Sequence, residues 1–322
     1  MRHVHRARRV LIAIAALVAL TGCALEPTSV AASLLEDEVT FEVLVIENLD
    51  GSYVTGGTAR NHSDLLYSLH FEIDYYDRRG KVIGTHPSAV SDLYPGVEQA
   101  FFAITADDWS HADYAEVRVT HIVKAEQTAI RPDLVFGNLS VYNHAHGSRV
   151  FGEVTNRGAE QVSLIVLGAI VDEQGGRERL VKSNIEGVDG LRPGETRMFV
   201  VDMIGQVDEG TQARAYVSSI TDVAVVPQRV PDIAFSDLQL TYYPDADRTG
   251  LYWTMRNRDD RAWSSIILLI GVYDQDRLVH VVWTSIPRIE ALQALELDRR
   301  LFDGDLHDLH PRIHVKSFHA IE

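Results

Sequence analysis

One cysteine, Cys23, occurs in the 322 residues, so no intramolecular disulfide can form and stability must come from an apolar core. Long hydrophobic runs are also missing. The N-terminal run from Val10 to Leu20 covers 11 residues, well short of the roughly 20 that a membrane helix needs. Basic charge is sparse, with 30 Lys and Arg against 46 Asp and Glu for a net charge of −16. Such a surface repels nucleic acid and anionic headgroups and favours cations or basic partners. The sequence has no Gly-rich phosphate loop, no Gly-x-Ser-x-Gly elbow and no His-Glu-x-x-His pair. Ser/His/Asp combinations can be assembled from any acidic chain with 14 histidines and carry no weight.

What the N-terminus does contain is ordered. Arg2, Arg6, Arg8 and Arg9 precede the apolar run, and Leu20-Thr21-Gly22-Cys23 follows it. A basic segment, an apolar core and small residues make an export signal. The ending resembles the lipobox of bacterial lipoproteins, which implies cleavage after Gly22 and a diacylglyceryl group on the Cys23 sulfur. Two acyl chains suffice for stable anchoring, where one is marginal. The expected organisation is thus a signal peptide over 1–22 and a lipidated tether over 23–37. Without the four signal arginines the net charge becomes −20.

The remainder repeats. Asn61, Asn156 and Asn257 lie in similar settings at intervals of 95 and 101 residues, in Ala59-Arg60-Asn61-His62, Val154-Thr155-Asn156-Arg157 and Met255-Arg256-Asn257-Arg258. Tyr76-Asp77, Val171-Asp172 and Tyr273-Asp274 follow the three asparagines. Leu93-Tyr94-Pro95-Gly96 and Leu191-Arg192-Pro193-Gly194 form a third landmark, which Glu290-Ala291-Leu292-Gln293 replaces in the last unit. Within units the hydrophobic period is near two: Leu69, Phe71, Ile73 and Tyr75 alternate with Ser68, His70, Glu72 and Asp74, the signature of a half-buried strand. Asp77 to Gly80 and Asp274 to Arg277 read as hairpin turns. A short helix over 289–301 competes with an irregular edge strand. Six or seven strands per unit predict an all-β fold of three tandem immunoglobulin-like β-sandwich domains after the lipoprotein signal peptide, over 38–125, 132–222 and 231–322. The proline-bearing connections, 125–132 and 225–231, suggest a semi-rigid rod.

Phe71-Glu72-Ile73-Asp74-Tyr75-Tyr76-Asp77, Gly80-Lys81-Val82-Ile83-Gly84-Thr85, Leu93-Tyr94-Pro95-Gly96 and Phe101 in the first unit, Leu191 to Gly194 in the second and Gly271-Val272-Tyr273-Asp274 in the third resemble the FxLYD-type modules of bacterial surface lipoproteins. The resemblance implies an immunoglobulin-like fold and an extracytoplasmic setting. It brings no catalytic residues.

Site expectations are correspondingly few. Cys23 is the lipid attachment residue, and no catalytic, cofactor-binding or metal residue is assigned. Asp303-Gly304-Asp305-Leu306-His307-Asp308-Leu309-His310 and Asp245-Ala246-Asp247 have oxygen and imidazole donors suited to Ca²⁺ or Zn²⁺, but they read as an acidic loop and a hairpin tip. Tyr75, Phe101, Phe199 and Tyr273 are expected in cores. Tyr242, Tyr243, Tyr252 and Trp253, beside Trp263, cluster on a hairpin of the third unit and read first as core and sandwich edge, with an exposed contact surface as the alternative. These features point to a non-catalytic envelope lipoprotein on the cell membrane or outer membrane. It would act as a binding or spacer module through protein or surface-polymer contacts, with no nucleic-acid partner. The alternative is a ligand-capturing accessory lipoprotein of a transporter or sensor, which needs a pocket between modules.

Overall fold

A computed structural model describes residues 38–49, 52–105, 109, 111–128, 132–144, 147–174, 177–224 and 231–320. The export signal, the tether and Cys23 lie outside the described residues, as do most residues of the two proline-bearing connections. No described segment is α-helical, and none is a helix long and apolar enough to cross a membrane.

Among the described residues eighteen strands form three sets of six. The first set comprises β1 (Val39–Leu49), β2 (Ser52–Asn61), β3 (Leu65–Tyr76), β4 (Val82–Leu93), β5 (Glu98–Thr105) and β6 (Tyr114–Thr128). The second comprises β7 (Leu134–His144), β8 (Gly147–Asn156), β9 (Gln161–Gln174), β10 (Arg177–Leu191), β11 (Thr196–Ile204) and β12 (Gln212–Ala224). The third comprises β13 (Ile233–Tyr243), β14 (Arg248–Asn257), β15 (Trp263–Asp274), β16 (Arg277–Ile289), β17 (Ala294–Asp303) and β18 (His310–Ala320). In every set the first, second and fifth strands make one antiparallel sheet, and the fourth, third and sixth make another. The two sheets face each other across an apolar core, because the period-two strands present one apolar side each. Phe71, Ile73 and Tyr75 of β3 meet Phe101 and Ala103 of β5 in the first core. Leu164, Val166 and Ile170 meet Phe199 and Val201 in the second, and Ile266, Leu268 and Ile270 meet Trp253 and Met255 in the third.

Each repeated asparagine ties its two sheets together. Asn61 Nδ2 donates to Leu65 O at 2.7 Å and Leu93 O at 2.9 Å, while its Oδ1 accepts from Ser63 N at 2.9 Å. Asn156 repeats this with Glu160 O, Leu191 O and Gly158 N, and Asn257 with Arg261 O, Glu290 O and Asp259 N. All three side chains are fully buried, so the asparagine supplies polar partners that water cannot reach.

The Pro-Gly turn persists in the third set without its residues. Asn61 N donates to Val97 O, Asn156 N to Glu195 O and Asn257 N to Gln293 O, which aligns Leu292 with Gly96 and Gly194. All three have a positive φ, 75° and 73° for the glycines and 58° for Leu292. No helix forms over 289–301; β16 ends at Ile289 and β17 begins at Ala294. A leucine held in the left-handed region stores on the order of 1 kcal/mol, and Leu292 is exposed, so its side chain contributes little in return. Leu292→Gly should therefore raise stability by about 1 kcal/mol, seen as a higher urea midpoint at unchanged slope.

The sets are docked face to face, so more than the proline-bearing connections joins them. At the first seam Phe102 packs with Ala169, Val171, Leu180 and Tyr216. Val97 and Tyr94 of the first set enter the core cluster of the second. A parallel bridge between Gln99 and Val217 joins the two sheets, and Gln99 Nε2 donates to Ser218 O at 2.9 Å. At the second seam Phe151, Met198 and Val200 bury against Leu269, Tyr273, Leu278 and Val281. Tyr273 is buried as expected, but in this seam and not in the core of its own set.

Candidate interaction surfaces

The outward side of each sheet follows from strand parity. In the second set the core takes Val150 and Val154 of β8, which leaves Arg149, Phe151 and Glu153 on the outer side. On β9 the core takes Leu164, Val166 and Ile170, leaving Leu167, Ala169 and Val171 outside. Both outer faces of the second set are covered, one by each neighbour.

The second seam has a polar rim. Tyr273 Oη donates to Glu153 Oε1 at 2.5 Å, and Asn138 Nδ2 donates to Glu153 Oε2 at 2.5 Å and Asp276 O at 3.2 Å. Burial first, then the Glu153 hydrogen bond, pushes the Tyr273 phenol far above its ordinary pKa. The Arg312 guanidinium lies 4.1 Å from the centre of the Tyr273 ring, and Lys316 pairs with Glu186 at 2.6 Å. His280 sits at the edge of this seam, its ring 4.4 Å from Tyr142 and 5.4 Å from Phe302. Neither ring nitrogen has a hydrogen-bond partner among the described residues. Burial, reinforced by the Arg149 cation and opposed by Asp303, lowers its pKa from 6.5 to about 4.

Two outer faces are covered by none of the described residues. The sheet of β4, β3 and β6 presents His70, Glu72, Asp74 and Tyr76 beside Arg118. Asp74 accepts from Thr85 Oγ1 at 2.7 Å and from Arg118 Nε at 3.0 Å. The Thr85 bond chiefly, with Arg118, holds its carboxyl below the ordinary range. Tyr76 stacks on Tyr114 with ring centres 4.8 Å apart. At the other end, the sheet of β13, β14 and β17 presents Tyr252 opposite Asp298, Thr254 opposite Glu296 and Arg256 opposite Ala294.

The aromatic candidates of the third set separate. Trp253 and Trp263 are buried core residues, Trp263 Nε1 donating to Asp259 Oδ2 at 2.9 Å. Tyr242, Tyr243 and Tyr252 are half-buried. Tyr242 Oη donates to Asp247 Oδ1 at 2.9 Å, and Tyr243 covers Gly250, where a β-carbon would come within 2.8 Å of its ring. The candidate surface thus narrows from the whole hairpin to three tyrosines, of which Tyr243 and Tyr252 lie beside Glu296 and Asp298.

Residues 304–309 form a loop between β17 and β18, with His307 in the loop and His310 at the start of β18, so the two histidines do not lie on a helix. His307 Nδ1 lies 2.5 Å from Asp305 and Nε2 lies 3.2 Å from Asp308. Asp305 first, then Asp308, raises the imidazole pKa. Among the described residues no group of three His, Cys, Asp or Glu is placed to hold a metal ion. Asp245 and Ala246 lie in a 3-10 turn, and Asp247 caps it with φ 46°. A crevice of about 310 Å³ opens at the first seam, lined by Gly56, Ala100, Phe102, Leu167, Ala169 and Tyr216 among others. Most of that space is open to solvent, and the enclosed part, about 20 Å³, is far below the volume of small-molecule sites.

No protein-family model matches the chain, and no curated protein matches it.

Proposed function

We propose that the protein is a non-catalytic, lipid-anchored envelope protein, its three sandwiches of immunoglobulin-like type acting as modules over 38–125, 132–222 and 231–322. It is carried on the cell membrane or outer membrane through Cys23, and it contacts another envelope protein or a surface polymer through its third module. The observation that carries this reading is the serial docking of the sets. Four of the six outer faces are consumed in seams, and the face at the end remote from the tether offers half-buried Tyr243 and Tyr252 beside carboxylates. Tyrosine gives large contact area at low entropic cost.

The test uses substitution, because a chain ending near 226 would lay bare Phe151, Met198 and Val200 and become adhesive for a trivial reason. Tyr243→Ser with Tyr252→Ser should reduce capture of cross-linked envelope partners at least tenfold. Tyr76→Ser with Tyr114→Ser, at the opposite end, should leave capture unchanged. Equal capture by both double variants would place the contact elsewhere.

A further inference from the structure

Both seams use the same pair of faces. The outer side of the first-second-fifth-strand sheet of one set receives the outer side of the fourth-third-sixth-strand sheet of the next, with β1 against β10 and β7 against β16. Such a heterologous contact does not close on itself; repeated between chains, it yields an open filament. A stack of this kind stays finite only if its two end faces reject the next unit.

The end faces differ from the seam faces at the positions that matter. Aligned on the repeated asparagines and Tyr-Asp landmarks, Leu167 and Leu269 of the seams correspond to Glu72, and Ala169 and Gly271 correspond to Asp74. On the other sheet, the strand registers align Phe102 and Val200 with Asp298, and Ala100 and Met198 with Glu296: Phe102 pairs with Gly56, Val200 with Phe151 and Asp298 with Tyr252. Every one of these four seam positions is apolar in the covered copies and acidic in the uncovered one. The facing geometry is fixed by the second seam, where Gly271 lies so close to Met198 that a β-carbon on Gly271 would collide with its sulfur. Extending the stack by one step would bring Asp74 of a second copy to that place opposite Glu296.

We propose that Glu72 and Asp74 at one end, and Glu296 and Asp298 at the other, close the stack against a second copy of this chain. Glu72 and Asp74 share the single cation Arg118, so this face stays net negative; docking would strip water from Glu72 and Arg118 and from Glu296 and Asp298 and set two negative faces against each other, which opposes association. Asp74 is held by Thr85 and Arg118 within its own face, so it cannot turn away. The rest of the surface, net acidic as well, adds repulsion at longer range.

The experiment restores seam residues at each end in the full chain, purified in detergent and followed by sedimentation velocity. One variant carries Glu72→Leu and Asp74→Ala, the other Glu296→Met and Asp298→Val. Wild type and each variant alone should sediment as monomers, since an apolar face still meets an acidic one. An equimolar mixture should form a complex of two copies and stop there, and a chain with all four substitutions should form open-ended oligomers that grow with concentration. The proposal is overturned if the mixture stays monomeric while both variants keep the wild-type circular dichroism and melting point. It is equally overturned if each variant alone associates as strongly as the mixture, or if wild type already forms head-to-tail oligomers. Should the apolar variants fail to fold, the amide replacements Glu72→Gln, Asp74→Asn, Glu296→Gln and Asp298→Asn serve instead. Their mixture should associate at least tenfold more tightly than wild type at low salt, and no gain would contradict the proposal.

Discussion

Asn156→Ala should destabilise the second set by about 3 to 5 kcal/mol, and Asn61→Ala and Asn257→Ala should cost their own sets as much. The side chain satisfies Glu160 O, Leu191 O and Gly158 N in a fully buried site. Truncation leaves two carbonyls and one amide without partners, at about 1–3 kcal/mol each. Asn156→Asp should be no milder, because a carboxylate keeps the acceptor role towards Gly158 but faces both carbonyls with negative charge. Urea unfolding with tryptophan emission from Trp253 and Trp263 would report the third set, and hydrogen exchange along β8 and β10 the second. A loss below 1 kcal/mol for Asn156→Ala would mean that the repeated asparagine is a turn residue only.

Acidification should loosen the second seam. The His280 pKa is depressed from 6.5 to about 4, so between those values the unfolded or undocked chain binds a proton that the docked protein excludes. Stability is therefore complete above pH 6.5 and falls as the pH drops towards 4, by about 3 kcal/mol in all at about 1.4 kcal/mol per unit. Burial of His314 lowers its pKa too and acts in the same sense. His280→Phe should abolish most of the slope while preserving packing against Tyr142 and Phe302. Melting temperatures that stay level from pH 7 to 4.5 in the parent chain would refute the assignment. A slope unchanged in His280→Phe would transfer it to other groups.

The strand pattern was legible because β3 is wet on its outer side: Leu69, Phe71, Ile73 and Tyr75 alternate with Ser68, His70, Glu72 and Asp74, and the period is plain. The seams were less legible from the same signal. β9 reads Val162-Ser163-Leu164-Ile165-Val166-Leu167 and β15 reads Ile266-Ile267-Leu268-Leu269-Ile270, near-continuous apolar runs. A strand covered on both faces has no reason to alternate, so the loss of period in the second and third repeats, against its retention in the first, carried the docking information. Tyr273 shows the same limit. Its burial follows from position in a strand, but Val272 points into the core of the third set, so alternation turns Tyr273 out of that core and towards the neighbouring set. The turn at Leu292 was hidden for a different reason: backbone hydrogen bonds to Asn257 and Asp259 hold the conformation after the Pro-Gly residues that advertise it are gone.

Intact mass spectrometry of the protein extracted from membranes tests the proposed anchoring through Cys23 most directly. The predicted species begins at Cys23 and is heavier than the unmodified chain by a diacylglyceryl group, and Cys23→Ala removes the added mass and releases the protein from the membrane fraction. A wild-type chain that begins at another residue, or that begins at Cys23 with an unmodified sulfur, would contradict it.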